Sequence, residues 1–278
     1  KKAAKSGLTF FALSVIFKIF TACIYIFMHQ EKQNQYEVYR VMIILPAIDL
    51  YEKKVVRLFK GRYDQMTVYS ENPLETAREF ESCGASYVHI VDLEGAKDGT
   101  TPNIEIVKQI AGETNLKVEI GGGIRDMETV EKYISAGVNR IILGTAAVTD
   151  EAFLCSAVSK YGKKIAVGAD IRDGYIAIKG WLEKSNYSTE KFLDYIQEKD
   201  ISTVICTDIS KDGAMRGTNL ELYRKLSEKY SLNIIASGGV SSVSDIEWLR
   251  SMNIYGAIIG KAYYTGAINL KEAIEVAK

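Results

Sequence analysis

Four aspartates each close a short apolar run: Asp49 ends MIILPAID, Asp92 ends YVHIVD, Asp170 ends KIAVGAD and Asp208 ends TVICTD. A carboxylate in that place either caps the helix that follows or faces a ligand. Two carboxylates that share one mouth but differ in surroundings can divide the work of general acid and general base, which is proton-transfer chemistry without a cofactor. Four glycine-bearing turns make a second group: Gly121-Gly122-Gly123-Ile124-Arg125, Gly144-Thr145, Ser237-Gly238-Gly239-Val240 and Gly260-Lys261-Ala262. Each follows an apolar run and opens a helical pattern, so its backbone can approach an anion while the helix start directs N–H groups at it. Phosphate is the anion that such turns suit. No metal or cofactor is expected. His29 and His89 lie far from each other and from Cys23, Cys83, Cys155 and Cys206, and no CxxC spacing occurs. The cysteines read as free thiols in a reducing cytoplasm.

The elements that position these residues follow from an internal repeat. NLKVEIGGGIRDMETVEKYISAGVNRIILGTAA, from Asn115, aligns without a gap on SLNIIASGGVSSVSDIEWLRSMNIYGAIIGKAY, from Ser231, at an offset of 116 residues. Gly122 falls on Gly238, Gly123 on Gly239, Gly144 on Gly260 and Asp92 on Asp208. Each half supplies four short runs rich in Val and Ile, separated by stretches of helical spacing. Eight strands are expected near 43–49, 86–92, 116–121, 139–144, 165–170, 203–208, 233–237 and 256–260. Nearly continuous hydrophobicity marks buried parallel strands. Strand–helix alternation through two equal halves predicts an α/β chain folded as a (β/α)8 TIM barrel with a twofold half-barrel repeat, and a doubly wound open sheet is the runner-up. In a barrel the chemistry gathers at the C-terminal ends of the strands. Asp49 and Asp170, on strands one and five, then face each other across the mouth as the acid and base pair. The matched glycine turns imply a small bis-phosphate ligand held at both ends.

Composition restricts the partners. With 47% hydrophobic residues, 25% charged residues and Lys+Arg equal to Asp+Glu at 35 each, the chain has no net field to gather nucleic acid. The first 41 residues stand apart. Leu8 to Met28 is apolar and follows Lys1, Lys2 and Lys5, which suits a membrane anchor, whereas Lys18 at its centre is costly there. The expected division is an N-terminal extension over 1–41, either upstream sequence or a membrane segment, and a catalytic barrel over 42–278.

In order along the chain, LPAIDL, VVRLFKGRY, HIVDLEGA, GGGIR, GADIRDG with KGW after it, TDISKDGAMRGTN, SGGV and GKA closely resemble the histidine-biosynthesis isomerases. These half-barrel-repeat phosphate-binding barrels convert the phosphoribosylformimino aminoimidazole carboxamide ribotide aldose to its ketose. The resemblance runs from Met42 to the C-terminus and implies an Amadori rearrangement by a cytoplasmic, usually monomeric enzyme. It assigns Asp49 as the base that takes the C2′ proton and Asp170 as the acid that opens the ribose ring. It also implies that Thr207 and Trp181 hold the substrate, with Arg57 and Arg125 nearby. Arg57 reads equally as a solvated strand charge and Trp181 as a core residue, while His89 is expected to orient its neighbours. Three rival readings stay open: the sister cyclase of the same pathway, a dual-substrate isomerase that also takes phosphoribosyl anthranilate, and a silent phosphate-binding barrel tethered to a membrane.

Overall fold

The computed structural model describes residues 41–59 and 61–278. The apolar segment 8–28, read above as upstream sequence or an anchor, lies outside the described residues. Among the described residues no helix is long and apolar enough to cross a membrane.

The strands are β1 (Ile43–Tyr51), β2 (Lys54–Phe59), β3 (Arg62–Ser70), β4 (Tyr87–Asp92), β5 (Lys117–Gly121), β6 (Arg140–Leu143), β7 (Ile165–Arg172), β8 (Tyr175–Ile178), β9 (Glu183–Ser188), β10 (Thr203–Asp208), β11 (Asn233–Ser237) and β12 (Gly256–Ile259). The helices are α1 (Pro73–Ser82), α2 (Leu93–Asp98), α3 (Ile104–Glu113), α4 (Met127–Ser135), α5 (Thr145–Thr149), α6 (Glu151–Tyr161), α7 (Thr189–Glu198), α8 (Leu220–Lys229), α9 (Val243–Ser251), α10 (Lys261–Tyr264) and α11 (Leu270–Val276). Strands β1, β4, β5, β6, β7, β10, β11 and β12 pair in parallel in that order, and β12 returns to β1. The sheet therefore closes into the eight-stranded barrel that the alternation predicted.

Two antiparallel hairpins were not expected. β2 and β3 continue from β1, and β8 and β9 continue from β7, so each half carries one hairpin on its first strand. Their outer strands, RYDQMTVYS and EKSNYS, are largely exposed and carry no buried apolar run. They form because the preceding barrel strand offers an edge at the mouth, a tertiary cause that local hydrophobicity does not record.

Strand parity separates two apolar layers. Leu45, Ala47, Ile142, Ala166, Ile205, Ile235 and Ile258 fill the barrel interior. Alternate residues such as Ile44, Ile48, Val88, Val118, Val167 and Val204 pack outward against the helices. Helix α1 shows how the outer layer is built. Asn72 accepts the Glu75 N–H, Pro73 opens the first turn, and Pro73, Thr76, Ala77 and Phe80 recur on one buried face. Phe80 meets Tyr263 edge-on with centroids 4.9 Å apart. The same helix thereby ties the first barrel connection to the last.

Candidate active site

Asp49 and Asp170 both lie on the inward parity at the C-terminal ends of their strands, β1 and β7. On β1 the Asp49 carboxylate pairs with Arg57 of β2, Oδ1 to Nη1 at 2.9 Å, and both side chains are only 11% exposed. Arg57 is thus no solvated strand charge. Its guanidinium also lies over the turn after β12, where a Cβ on Gly260 would come within 2.4 Å of Nη2, and its buried Nε has no hydrogen-bond partner. Burial raises the Asp49 carboxyl above the ordinary aspartate range, a rise that Arg57 opposes, Asp212 reinforces and His89 opposes.

Asp170 stands in a different setting. Burial raises its carboxyl too, and hydrogen bonds donated by the Trp181 indole and the Thr207 hydroxyl oppose the rise. Thr207 is the register partner of Asp170 on one side and of Ser237 on the other, so the three line one level of the mouth. Trp181 belongs to the turn between β8 and β9 rather than to the core, and its backbone is left-handed with φ 70°. A Cβ on Gly61, at the tip of the opposite hairpin, would come within 2.7 Å of the Trp181 ring. The two hairpins therefore meet over the mouth. One carboxyl has a guanidinium beside it and the other has neutral donors, which is the inequality that a base and an acid need.

Asp92 and Asp208 fall on the opposite parity and face the helices. Leu50, not Asp49, is the register partner of Asp92. Asp92 caps α2 by accepting the Gly95 N–H at 3.0 Å and holds Asn103 Nδ2 at 2.9 Å. Asp208 accepts the Ser210 N–H at 2.9 Å and holds Asn219 Nδ2 at 2.6 Å. The Asp–Asn clamp is repeated at the 116-residue offset and braces the loop after each strand.

The four glycine turns are of two kinds. The helices after Gly122-Gly123 and Gly238-Gly239 are already capped by their own side chains: Asp126 accepts the Thr129 N–H at 2.7 Å, and Ser242 and Asp245 form a capping box. These glycines also allow close backbone packing. A Cβ on Gly123 would lie 1.7 Å from the Gly95 carbonyl oxygen, and one on Gly238 would lie 2.5 Å from that of Asp208. The helices after Gly144 and Gly260 have no side-chain cap, and the two glycines share one unusual backbone, φ −94° and ψ −106° against φ −103° and ψ −107°. Those starts, beside Thr145 and Lys261, leave their first N–H groups without a side-chain cap among the described residues. Thr145 Oγ1 also accepts the Lys179 N–H at 2.8 Å, tying this turn to the β8–β9 hairpin. Lys261 reaches the Gly213 carbonyl at 3.3 Å. Arg125 is exposed and donates to the Ala96 carbonyl at 3.3 Å, against the loop after β4.

Sequence reasoning missed two features. Asp212, in the loop after β10, is a third mouth carboxyl whose affinity for its proton is raised by burial and opposed by Arg57, His89 and Lys261. The run TDISKDGAMRGTN contains it, but nothing in that run showed that the aspartate turns inward. The second feature is a buried chain of polar side chains beneath the mouth, His89 to Glu119 to Arg140.

A family model described as Histidine biosynthesis protein matches residues 43–269, from the first barrel strand to the residue before α11. The chain belongs to that family. Within the histidine biosynthesis family its relatives include proteins named 1-(5-phosphoribosyl)-5-((5-phosphoribosylamino)methylideneamino)imidazole-4-carboxamide isomerase. The one from Clostridium acetobutylicum is 49% identical over 235 residues, covering 84% of this chain and 98% of the relative. Those from Lactococcus lactis subsp. cremoris strain SK11 and Brachyspira hyodysenteriae are 52% identical over 233 residues and 50% identical over 237 residues. These cover 83% and 85% of this chain, and 95% and 100% of the relatives. The family match spans both strand-end carboxylates, both hairpins and all four glycine turns.

Proposed function

We propose that this chain is an aldose–ketose isomerase of histidine biosynthesis, an intramolecular oxidoreductase. It converts 1-(5-phosphoribosyl)-5-((5-phosphoribosylamino)methylideneamino)imidazole-4-carboxamide to its phosphoribulosyl ketose by an Amadori rearrangement. One observation carries the reading. Two inward carboxyls on β1 and β7, unlike in their surroundings, stand between two matched uncapped turns, in a chain about half identical to isomerases so named. We assign residues 42–278 as the catalytic domain.

The chemistry follows from the two settings. Asp170, protonated, gives its proton to the ribose ring oxygen as the bond from that oxygen to C1′ breaks and the neighbouring nitrogen forms a protonated imine. Asp49, kept ionised by Arg57, then takes the C2′ proton, and the electron pair forms the C1′–C2′ double bond of an enaminol. Loss of the C2′ hydroxyl proton and gain of one at C1′ give the ketose, so the reaction is neutral overall and needs no cofactor. Thr207 and Trp181 hold Asp170 and the sugar between them. The turns at Gly144-Thr145 and Gly260-Lys261 receive the two phosphates, with Arg57 and Ser237 beside them. Gly122, Gly123, Gly238 and Gly239 shape the loops, and Arg125 stands at the rim. Free thiols at Cys83, Cys155 and Cys206 support the cytoplasm.

Turnover of the full chain with the aldose tests the reading, with phosphoribosyl anthranilate in parallel. Conversion of both substrates would establish the dual-substrate form, and conversion of neither would remove the isomerase assignment. Asp49→Asn should lower kcat by roughly 10²–10⁴-fold, the range of general base catalysis, with substrate binding nearly unchanged. Full turnover by that variant sinks the base assignment.

A further inference from the structure

Strands β4, β5 and β6 recur as β10, β11 and β12 at the 116-residue offset, and the register recurs with them. His89 pairs with Glu119 and Glu119 with Arg140, just as Ile205 pairs with Ile235 and Ile235 with Gly256. The chemistry does not recur. In the second half the equivalent positions are Ile205, Ile235 and Gly256, whereas in the first half three polar side chains run through the barrel interior. His89 Nδ1 lies 2.7 Å from Glu119 Oε1, and Arg140 Nη1 donates to Glu119 Oε2 at 2.8 Å. Glu119 is fully buried, and the Arg140 guanidinium lies 5.3 Å from the Tyr87 ring centroid at the base of the barrel.

Burying such a chain is expensive, and apolar residues of similar volume commonly serve stability as well or better. The second half shows that this barrel closes with two isoleucines and a glycine at the equivalent positions. The polar chain therefore answers to something other than the fold, and its upper end indicates what. Register places His89 beside Ala47, one inward layer beneath Asp49.

We propose that His89 is a positioning residue for the isomerisation: Glu119, clamped by Arg140, holds the imidazole by Nδ1 beneath the mouth, one inward layer below Asp49, where the ring favours the basic form of Asp49 while the substrate phosphates bind. The need arises from Arg57. That guanidinium is the near cation for Asp49, yet it also lies over Gly260, where an arriving phosphate competes for it. Three carboxyls, Asp49, Asp170 and Asp212, then share the mouth with two phosphates. His89 is held by Glu119 one inward layer below Asp49, and it favours the ionised form of all three. The charged groups around the ring are Glu119 on β5 and Arg140 on β6 below, with Asp49 on β1, Arg57 on β2, Asp170 on β7 and Asp212 after β10 above.

The inference rests on the isomerase reading, so the unaltered full chain is assayed beside each variant. The decisive variant replaces the chain with apolar residues, as the second half does: His89→Ile, Glu119→Ile and Arg140→Met together. The expected result is an unchanged melting temperature and a KM within about threefold. We expect kcat to fall by at least about tenfold, the factor that one pK unit represents. The acidic limb of the kcat/KM profile should move to higher pH, because Asp49 without His89 beneath it keeps its proton longer. His89→Gln alone should move the limb the same way. Wild-type kcat and pH profile in the triple variant overturn the proposal. Failure of that variant to fold overturns it too, since the polar chain would then be structural. Absence of turnover in the unaltered chain removes the isomerase reading and this inference with it, whereas turnover there with unaffected variants removes only the role of His89.

Discussion

Asp170 shows what one buried carboxyl costs and returns. Burial raises its folded affinity for the proton above the unfolded value, which is near 3.8. The folded state therefore binds the proton more tightly, and stability falls as pH rises through the window above that value. The cost accumulates as pH rises through that window. Asp170→Asn removes it and keeps acceptors for the Trp181 and Thr207 donors, so the variant should melt higher than the unaltered chain at neutral pH. Each kcal/mol gained is worth roughly 2–4 °C in a domain of this size. The gain should vanish below about pH 3, where both states of the wild-type carboxyl are protonated. Turnover should fall by roughly 10²-fold or more, because an amide has no proton to give. Thermal melts at two pH values and one kinetic assay check all three statements, and a lower melting temperature at neutral pH would contradict the first. Asp49 and Asp170 were legible as a pair because each ends an apolar run. Their difference from Asp92 and Asp208 was not, because all four end runs alike and only the register with β4 and β7 shows which parity faces inward.

At the level of elements, what was legible depended on burial. Barrel strands such as TVICTD, buried along their whole length, declare themselves through Val and Ile. Strand β3 is mostly exposed and declares nothing, although the hairpin it completes carries Gly61 to the Trp181 ring. Glu119 and Arg140 read as ordinary strand charges until three neighbouring strands are laid side by side. The glycine turns were recognised, but how tightly each is packed was not. Gly123 has φ +69° and would thrust a Cβ to 1.7 Å from the Gly95 carbonyl oxygen, which belongs to backbone and has little room to retreat. Gly144 meets nothing within 4 Å. Gly123→Ala should accordingly cost more than about 1 kcal/mol, since it adds strain in a left-handed backbone to a steric clash. A melting curve unchanged from the wild type would mean that the loop after β4 moves freely, contrary to its clamp by Asp92 and Asn103.

For the whole molecule, the repeat makes the chain two half-barrels whose order is a matter of linkage. The seam between β6 and β7 is an ordinary parallel pair, and so is the seam between β12 and β1. The first strand begins where the last helix ends, with the Met42 N–H donated to the Ala277 carbonyl at 3.0 Å. A short linker can therefore join residue 278 to residue 42. The segment Gly162–Lys164, between the halves, is an exposed turn of 3-10 helix and can be opened instead. Closely placed ends and an exposed cleavage point are the conditions under which circular permutation preserves a fold. The permuted chain should fold, melt within several degrees of the barrel in its original order and keep kcat/KM within about tenfold. Asp49, Asp170 and the turns at Gly144 and Gly260 keep every neighbour that the barrel gives them, because each sits on a strand or loop that the new connection leaves intact. Loss of folding on permutation would show that the connection between the halves, and not only their pairing, specifies the barrel. Measuring the melt and the turnover of the permuted chain together decides this, since a folded but inactive protein would place the fault in the mouth and an unfolded one would place it in the seam.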